Sequence, residues 1–431
     1  MNTTLRRNAL WQLVQTVSST GVELAILLAF AAQRAPREFG ALALALSAAK
    51  LVFLLCEPRI HEFLTPKLAR YLDRSHRGVW VWVGLARRVE LSSNLLALGA
   101  CMVLAAVVPV MSQSVSSSLI AACAIYTCAN TLLKFSSLSI FRCLGEVRTA
   151  AMHSVASSLL KLTVLGLCLR ADASAEWLVL LLAIPTALVA ASNAHVAAKG
   201  LARRAGPRRA WQHSPLRAAN RIRQLRLIFS NYATGLVDIG HRELDMQIAG
   251  WLAGTAEAGR YRLAKTLAMC VLEALNPVVL VLLPELSRRL SLPDLAALVA
   301  FLRRISAALA AIGLVAGLLV LGAAAIYLHV FARAYADSWP PLAVLLAGFV
   351  LIAPSLWAQA YLVAAGRPEV YLRASLVGAV VAVGLACAWV GPWGALGSAL
   401  AHCTGLAVSN VLAMAAAISH LRHLRRARSE A

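Results

Sequence analysis

The sequence predicts an all-α membrane protein of about twelve transmembrane helices, and two observations lead to that class. The 431-residue chain is 60% hydrophobic and 14% charged, with a mean hydropathy of +0.73, which excludes an ordinary soluble domain. It also contains many apolar stretches that reach the length of about 18 residues needed to cross a bilayer. We place the spans at 9–31, 40–57, 89–110, 118–140, 149–169, 177–197, 227–250, 261–283, 303–331, 340–364, 370–391 and 394–418.

The distribution of basic residues predicts the orientation of these spans. Roughly three quarters of the 41 lysines and arginines fall in alternate loops and near both termini. Because positively charged loops stay in the cytoplasm, we predict a multi-pass membrane protein with both termini in the cytoplasm. The same distribution explains the net charge of +22 without a nucleic-acid partner.

The chain divides near its middle. Six predicted spans precede the basic segment 199–226 and six follow it, and the Gly-Pro and Ser-Pro pairs at 206–207 and 214–215 break helix continuity there. We therefore expect two pseudo-symmetric six-helix lobes around a central cavity. The N-terminal lobe, with its basic cytoplasmic connector, covers 1–212, and the C-terminal lobe covers 213–431.

A weak internal repeat supports the division into two lobes. The sequence Glu-Phe-Gly at 38–40 and the sequence Glu-Ala-Gly at 257–259 are each followed by apolar residues and a lysine, Lys50 or Lys265. The match is short and biased towards apolar residues, and we use it only as a hint of symmetry.

Lysines are concentrated inside the predicted spans, which hold Lys50, Lys134, Lys161 and Lys265, four of the six in the chain. A charge at bilayer depth costs about 2.5–3.5 kcal/mol on insertion scales, so it usually faces a cavity or a partner. Lys134 and Lys265 lie nearer to span ends, from which the side chain can extend to the interface. Lys50 and Lys161 lie closer to mid-span, and we interpret each as either cavity-facing or paired within the bundle.

The seventh predicted span carries the densest set of charges. Asp238, Arg242 and Asp245 stand at positions i, i+4 and i+7 and therefore share one helical face. One interpretation is an ion-pair ladder that only holds helices together. The other is a polar cavity wall in which Arg242 is the main anion-binding donor, because a guanidinium group binds phosphate through two charge-assisted hydrogen bonds.

Two further carboxylates lie within predicted spans. We interpret Glu23 and Glu273 either as H+ or Na+ coupling sites or as counter-charges for the lysines. The predicted substrate-binding cations are thus Lys50, Lys161, Arg242 and Lys265, and the predicted cavity carboxylates are Glu23, Asp238, Asp245 and Glu273.

The sequence predicts neither a catalytic nor a metal site. His61-Glu62 begins like the zinc motif HExxH, but the fifth residue is Thr65. The nine cysteines form no CxxC pair, and most lie in or at the ends of spans, as packing residues do. Nucleophile and phosphate-loop motifs are missing, and the outward loops are short. We therefore expect a protein that is not an enzyme and that needs no cofactor.

Four stretches of the chain carry a resemblance to a known family. They are PREFGALALALSAAKLV at 36–52, DIGHRELDMQIAGWLAGTAEAGRYRLAKTL at 238–267, LNPVVLVLLPELSRR at 275–289 and VGPWGALGSALAH at 390–402. Together they resemble the polysaccharide flippases, the Wzx-like O-antigen transporters of the multidrug/oligosaccharidyl-lipid/polysaccharide exporter superfamily. The resemblance covers essentially the whole chain, although its Arg-rich and Ala-rich composition departs from the family.

The resemblance implies a MATE-like bundle of two lobes around a cationic cavity. It also implies a function, the flipping of undecaprenyl-pyrophosphate-linked oligosaccharide from the cytoplasmic to the periplasmic leaflet by alternating access. Arg242 and Asp245 match the family's Arg-x-x-Asp pattern, and Lys50 and Lys265 correspond to lumen cations. The implied partners are this lipid-linked substrate, membrane lipids and other membrane proteins of polysaccharide assembly.

Two other functions remain open on the sequence. A cation-coupled drug antiporter of the same fold would use Glu23, Asp238 or Glu273 as its acidic site, but the intramembrane lysines would repel a cationic drug. A membrane polysaccharide polymerase or ligase would need reactive groups on a large periplasmic loop, whereas the largest predicted loop is cytoplasmic.

Overall fold

The computed structural model describes residues 3–56, 64–65, 68, 72, 76–111, 115–206, 232, 236, 243–290 and 294–429. Helices dominate these ranges, and no strand occurs in them. The predicted all-α class is therefore confirmed.

Seven helices make up the first part of the chain. They are α1 (Thr3–Gln33), α2 (Pro36–Cys56), α3 (His76–Met111), α4 (Ser117–Thr131), α5 (Lys134–Leu144), α6 (Val147–Arg170) and α7 (Ala175–Ala205). Helical residues 243–253 follow. The remaining helices are α8 (Thr255–Leu290), α9 (Leu295–Val330), α10 (Trp339–Ile352), α11 (Trp357–Ala364) and α12 (Pro368–Ser429).

The helices agree closely with the predicted spans. Within the described residues, eight helical stretches are long and apolar enough to cross a bilayer, so the chain is a multi-pass membrane protein. The longest of them, Pro368–Leu424, contains two predicted spans, and its backbone turns at Gly394 (φ 54°) between them. The predicted span 261–283 lies in α8, which is not one of the eight. Of the predicted span 227–250, only Tyr232, Leu236 and residues from 243 onward are described.

The predicted span 118–140 lies within the apolar stretch Ser117–Leu144, which is long enough to cross a bilayer, but its helix is interrupted. We predicted a continuous helix over 118–140, but the structure interrupts it at Leu132 and Leu133, between α4 and α5. Leu133 adopts the left-handed conformation at φ 52°, ψ 14°, which costs a residue with a Cβ about 1–2 kcal/mol. Neither glycine nor proline marks this position, so the sequence carried no signal for the break.

The chain forms two compact units. Unit 1 contains residues 1–30 and 45–240, and unit 2 contains residues 31–44 and 241–431. The continuous helix α2 therefore contributes its first part to unit 2 and its second part to unit 1. The predicted lobe boundary at 212–213 lies outside the described residues and stays a prediction.

A hydrophobic core of unit 1 lies at the helix ends that we predict to face the cytoplasm. Trp82 and Val83 of α3 pack with Ile140 and Phe141 of α5 in a cluster of buried side chains. Leu201 of α7 completes the layer. This packing fixes α5 against α3, α6 and α7 and so positions the interrupted span.

Unit 2 contains a close helix contact at the two members of the weak repeat. Gly40 of α2 faces Thr255 and Gly259 of α8, and Gly259 in turn faces Pro36 and Gly40. A Cβ atom at either glycine would overlap a backbone carbonyl, that of Thr255 or that of Pro36. The two helices can therefore approach to backbone contact only because both positions are glycine.

We expect Gly40→Ala and Gly259→Ala each to lower the stability of the purified protein by about 1–3 kcal/mol, because each added methyl forces the helices apart. Thermal unfolding in detergent measures the effect. Gly99→Ala and Gly166→Ala are matched controls, since a Cβ at those helical glycines meets nothing within 4 Å. Unfolding temperatures equal to those of the controls would contradict the close contact.

Candidate functional site

Unit 1 encloses a polar cavity of about 350 Å³. Its walls come from one face each of α1, α6 and α7 and from both sides of the break between α4 and α5. Ten uncharged polar residues line it: Gln15, Ser19, Thr20, Asn130, Ser137, Ser154, Ser157, Ser158, Thr186 and Asn193. In a span such polar residues face away from lipid, so the cavity is suited to a polar ligand or to water.

Among the described residues, three charged side chains line the same cavity, namely those of Glu23, Lys134 and Lys161. Two ammonium groups and one carboxylate give this described part of the lining a net charge of one positive unit. The cavity therefore favours an anion, because a second negative group would leave it closer to neutrality.

Lys161 differs from the two other charged residues described in this cavity because it is buried. It is buried on α6, with 9% of its side chain exposed. Its Nζ lies 4.0 Å from Oε1 of Glu23 and 5.6 Å from the ring centre of Tyr126. Neither distance is that of a hydrogen bond, and the described part of the chain offers this ammonium no hydrogen-bond acceptor. A buried ammonium group that faces a cavity with unused donors is suited to binding an anionic ligand.

The break between α4 and α5 is supported by polar groups of α3. Thr131 donates a hydrogen bond from Oγ1 to Oδ1 of Asn94, and Asn94 donates from Nδ2 to the carbonyl of Glu90 at 2.7 Å. The Glu90 carboxylate is buried and accepts a hydrogen bond from the backbone N–H of Ser136, in the first turn of α5, at 3.3 Å. Irregular backbone at membrane depth is tolerated where it is buried in protein or lines a cavity, and here residues on both sides of the break, Asn130 and Lys134, line the cavity.

Unit 2 contains a second group of charged residues, whose side chains are buried and bind one another. Asp245 accepts two hydrogen bonds from Nζ of Lys265, at 2.9 and 2.6 Å, and one from the hydroxyl of Tyr261, at 2.5 Å. Nδ1 of His402 lies 2.9 Å from the same carboxylate. Asp245, Lys265 and His402 are each less than a tenth exposed. The ion pair is thus neutral as a whole and fully enclosed.

A second ion pair lies near the first, between Arg262 and Glu243, whose nitrogen and oxygen are 3.8 Å apart. It also involves residues of α8 and the segment 243–253. Each buried cation of this region therefore has a carboxylate nearby.

The predicted site residues fall into three groups. Glu23 and Lys161 are brought together in the unit 1 cavity, and Asp245 and Lys265 are brought together in unit 2. Lys50 and Glu273 are half-buried, on α2 and α8, and neither lines the cavity. Asp238 and Arg242 lie outside the described residues, so the role of Arg242 stays a prediction.

One expectation about lysines needs correction. We placed Lys265 near a span end, where it could extend to the interface, but it is buried and bound to Asp245 instead. Lys134 lies at a helix end as predicted, because it is the first residue of α5, and it lines the cavity. The position of Lys265 follows from the rotation of its helix, which a hydropathy pattern does not report.

Sequence reasoning also missed several residues of these sites. Glu90 and Asn94 lie one turn apart on α3, a spacing that could have marked them as a polar face within a span. Tyr261 and Lys265 have the same spacing on α8. His402 had no signal beyond its position in an apolar span. Among the described residues, no group of three or more His, Cys, Asp or Glu side chains could hold a metal ion.

A scan of family models and a search of curated proteins both return no match for this sequence. Its fold, in contrast, matches solved structures over nearly the whole chain. An inward-facing multidrug resistance MATE family transporter of the MOP superfamily aligns with a TM-score of 0.74 and 14% identity, covering 97% of this chain and 96% of that one.

Two other solved structures extend this comparison. Lipid II flippase MurJ, in an inward closed conformation, aligns with a TM-score of 0.72 and 13% identity, covering 94% of this chain and 87% of its own. A MOP superfamily transporter from Pyrococcus furiosus, described as having a binding pocket of reverse polarity, aligns with a TM-score of 0.65 and 14% identity, covering 98% and 96%.

At such low identities the structural matches show the fold alone. The chain therefore has the all-α fold of MOP superfamily transporters such as MATE and MurJ, and the prediction of a MATE-like fold is confirmed. The narrower resemblance to polysaccharide flippases stays a prediction.

We expect Lys265→Met to destabilise the protein by about 3–5 kcal/mol, because it leaves the buried Asp245 carboxylate without its cation. Combining it with Asp245→Asn should restore most of the loss, since both charges are then removed. Arg288→Met is the matched control, because it removes a cation from an exposed pair with Glu285 and should leave stability unchanged. Unfolding in detergent is the measurement, and wild-type stability of Lys265→Met alone would contradict the pairing.

Proposed function

We propose that the protein is a membrane transporter that flips polyprenyl-diphosphate-linked oligosaccharide from the cytoplasmic to the periplasmic leaflet. The single observation that carries this proposal is the buried ammonium of Lys161, which faces a polar cavity without a hydrogen-bond acceptor among the described residues. A lipid-linked diphosphate has an anionic head that must cross about 30 Å of hydrocarbon. Cavity cations would offset the loss of its hydration.

The uncharged lining of the cavity also supports a glycan substrate. Hydroxyl and amide groups can exchange hydrogen bonds with sugar hydroxyls and with water. The MurJ structure with the same fold belongs to a protein named as a lipid II flippase. In this proposal the cavity cations bind the diphosphate, the hydrated polar lining accommodates the glycan, and the prenyl chain would stay in the lipid.

The remaining parts of the proposal concern the location of the protein in the membrane and its transport cycle. We place the protein in the bacterial inner membrane with both termini in the cytoplasm, on the basis of the basic loops. Alternating access, by movement of one lobe against the other, would carry the head group across. Arg242 and Lys50 remain proposed further cations, and H+ or Na+ coupling through Glu23, Asp238, Asp245 or Glu273 is part of the same proposal.

A cation-coupled drug antiporter is the second candidate function. The observation that favours it is Glu23, which lines the same cavity and has 48% of its side chain exposed. The neighbours include multidrug resistance transporters of the same fold. The two lysines of the cavity oppose this function, because they would repel a cationic drug.

We expect Lys161→Ala to abolish surface polysaccharide in a flippase-null strain, because truncating a desolvated charge that binds its partner typically costs about 2–5 kcal/mol. Lys161→Arg should keep part of the export. Lys199→Ala is the control, since Lys199 is exposed on α7 and does not line the cavity. Membrane levels of each variant must match those of the wild type.

Glu23→Gln separates the two candidate functions. If the cavity binds an anion, removing the carboxylate should maintain or increase export, because Lys161 loses its intramolecular competitor. If the cavity binds a cationic drug, the same substitution should abolish drug resistance in cells that express the protein. Normal export from Lys161→Ala, at wild-type protein levels, would remove the flippase proposal.

A further inference from the structure

The interrupted span presents the beginning of a helix to the unit 1 cavity. Residues on both sides of the break, Asn130 before it and Lys134, Ser137 and Leu138 after it, line the cavity wall. The N–H groups of a helix's first turn have no acceptors within that helix and carry a partial positive charge. Helix α5 has 11 residues, and its first residue, Lys134, lines the cavity. The N-terminus of a helix of several turns therefore lies at the cavity.

Among the described residues, acceptors are present for only part of this first turn. Glu90 accepts the N–H of Ser136 at 3.3 Å, and the carbonyl of Leu133 accepts that of Ser137 at 3.3 Å. No side chain caps the helix at Leu133. The carboxylate of Glu90 approaches from α3, and it does not line the cavity.

A second observation points independently to a ligand at this place. The hydroxyl of Ser137 is buried, with 2% of the residue exposed, and it has no hydrogen-bond partner among the described residues. Burying an unpaired hydroxyl costs free energy, so a partner is expected. Lys134 begins the same helix, three residues before Ser137, and both residues line the same cavity, so a positive charge and the unpaired hydroxyl belong to the same wall.

We propose that the start of α5, with Lys134 and Ser137, is one half of a two-part anion site, and that Lys161 is the other half. The ligand is a diphosphate ester, with one phosphate at the start of α5 and the other at Lys161. This inference rests on the proposed function and assigns the part of the chain that distinguishes a diphosphate from a monophosphate.

The arrangement of charge supports two phosphates rather than one. Lys134 and Lys161 come from different walls, α5 and α6, and both face the same 350 Å³ space. Among the lining residues that the structure describes, only Glu23 carries a negative charge. A single phosphate could be served by Lys161 alone, and the donors at the start of α5 would then stay unused. A diphosphate joins both sets of donors in one ligand.

The experiment compares matched ligands on the full-length protein in detergent. Farnesyl diphosphate and farnesyl monophosphate share a tail and differ by one phosphate, and inorganic pyrophosphate is the tail-free arm. Binding is measured by calorimetry for the wild type, Lys134→Ala, Ser137→Ala, Lys161→Ala and the control Lys199→Ala. Thermal unfolding of each variant confirms that it is folded.

We expect the wild type and Lys199→Ala to bind the diphosphate at least about tenfold more tightly than the monophosphate, as one or more additional charge-assisted hydrogen bonds would give. Lys134→Ala and Ser137→Ala should reduce this ratio towards one while leaving monophosphate affinity unchanged. Lys161→Ala should weaken both farnesyl ligands. Weaker binding of inorganic pyrophosphate than of farnesyl diphosphate would support a lipid-linked ligand.

Failure of the inference and failure of the proposed function have different signatures. A wild-type diphosphate preference that persists unchanged in Lys134→Ala and Ser137→Ala overturns the two-part site and leaves the flippase proposal standing. Equal affinity for inorganic pyrophosphate and farnesyl diphosphate overturns the lipid-linked function while the two-part site stands. No binding of either farnesyl ligand by the wild type overturns both.

Discussion

The cost of placing charge in a bilayer is the constraint on which the rest of this structure depends. An intramembrane charge needs a partner, a cavity or a ligand, and the two units use different solutions. In unit 2, the ammonium of Lys265 is bound by both oxygens of Asp245, so the pair is neutral and enclosed. In unit 1, the ammonium of Lys161 lies 4.0 Å from Glu23 and faces a cavity. The same residue type is therefore held in an enclosed ion pair in one unit and faces a cavity in the other.

The interruption between α4 and α5 follows from the same constraint. A break in a span exposes backbone groups, and these must be satisfied without bulk water. Glu90 of α3 accepts one of these groups, the N–H of Ser136, and Asn94 accepts a hydrogen bond from the side chain of Thr131 beside the break. The left-handed backbone of Leu133 adds a local cost. A costly conformation persists where the surrounding structure stabilises it. Here the surrounding structure is a polar cavity and the buried carboxylate of Glu90.

Hydropathy could predict the helices because spans need length and apolar composition, and most predicted spans coincide with helices of the structure. It could also predict that Lys161 faces a cavity or a partner. Hydropathy could not predict which charged residues pair. Asp245 shares a helical face with Arg242 in the sequence, yet the partner seen for it is Lys265. The pairing depends on how neighbouring helices are rotated. The break at Leu133 was unpredictable, since tertiary hydrogen bonds from α3 stabilise it. The two glycines of the weak repeat, Gly40 and Gly259, contact each other, a contact that the repeat did not predict, and the symmetry it suggested stays a prediction.

The contrast between the units bears on which kind of substrate the fold serves. A site for a cationic drug needs a carboxylate that is free of internal cations. Asp245 is fully engaged by Lys265 and Tyr261, and the cavity carboxylate Glu23 is outnumbered by two lysines. Among the described charges that line the cavity, Lys134 and Lys161 are positive and Glu23 is negative, so the excess charge is positive. The MOP superfamily fold is shared by drug transporters and a lipid II flippase, so this excess of positive charge, rather than the fold, is what supports our proposal of an anionic substrate.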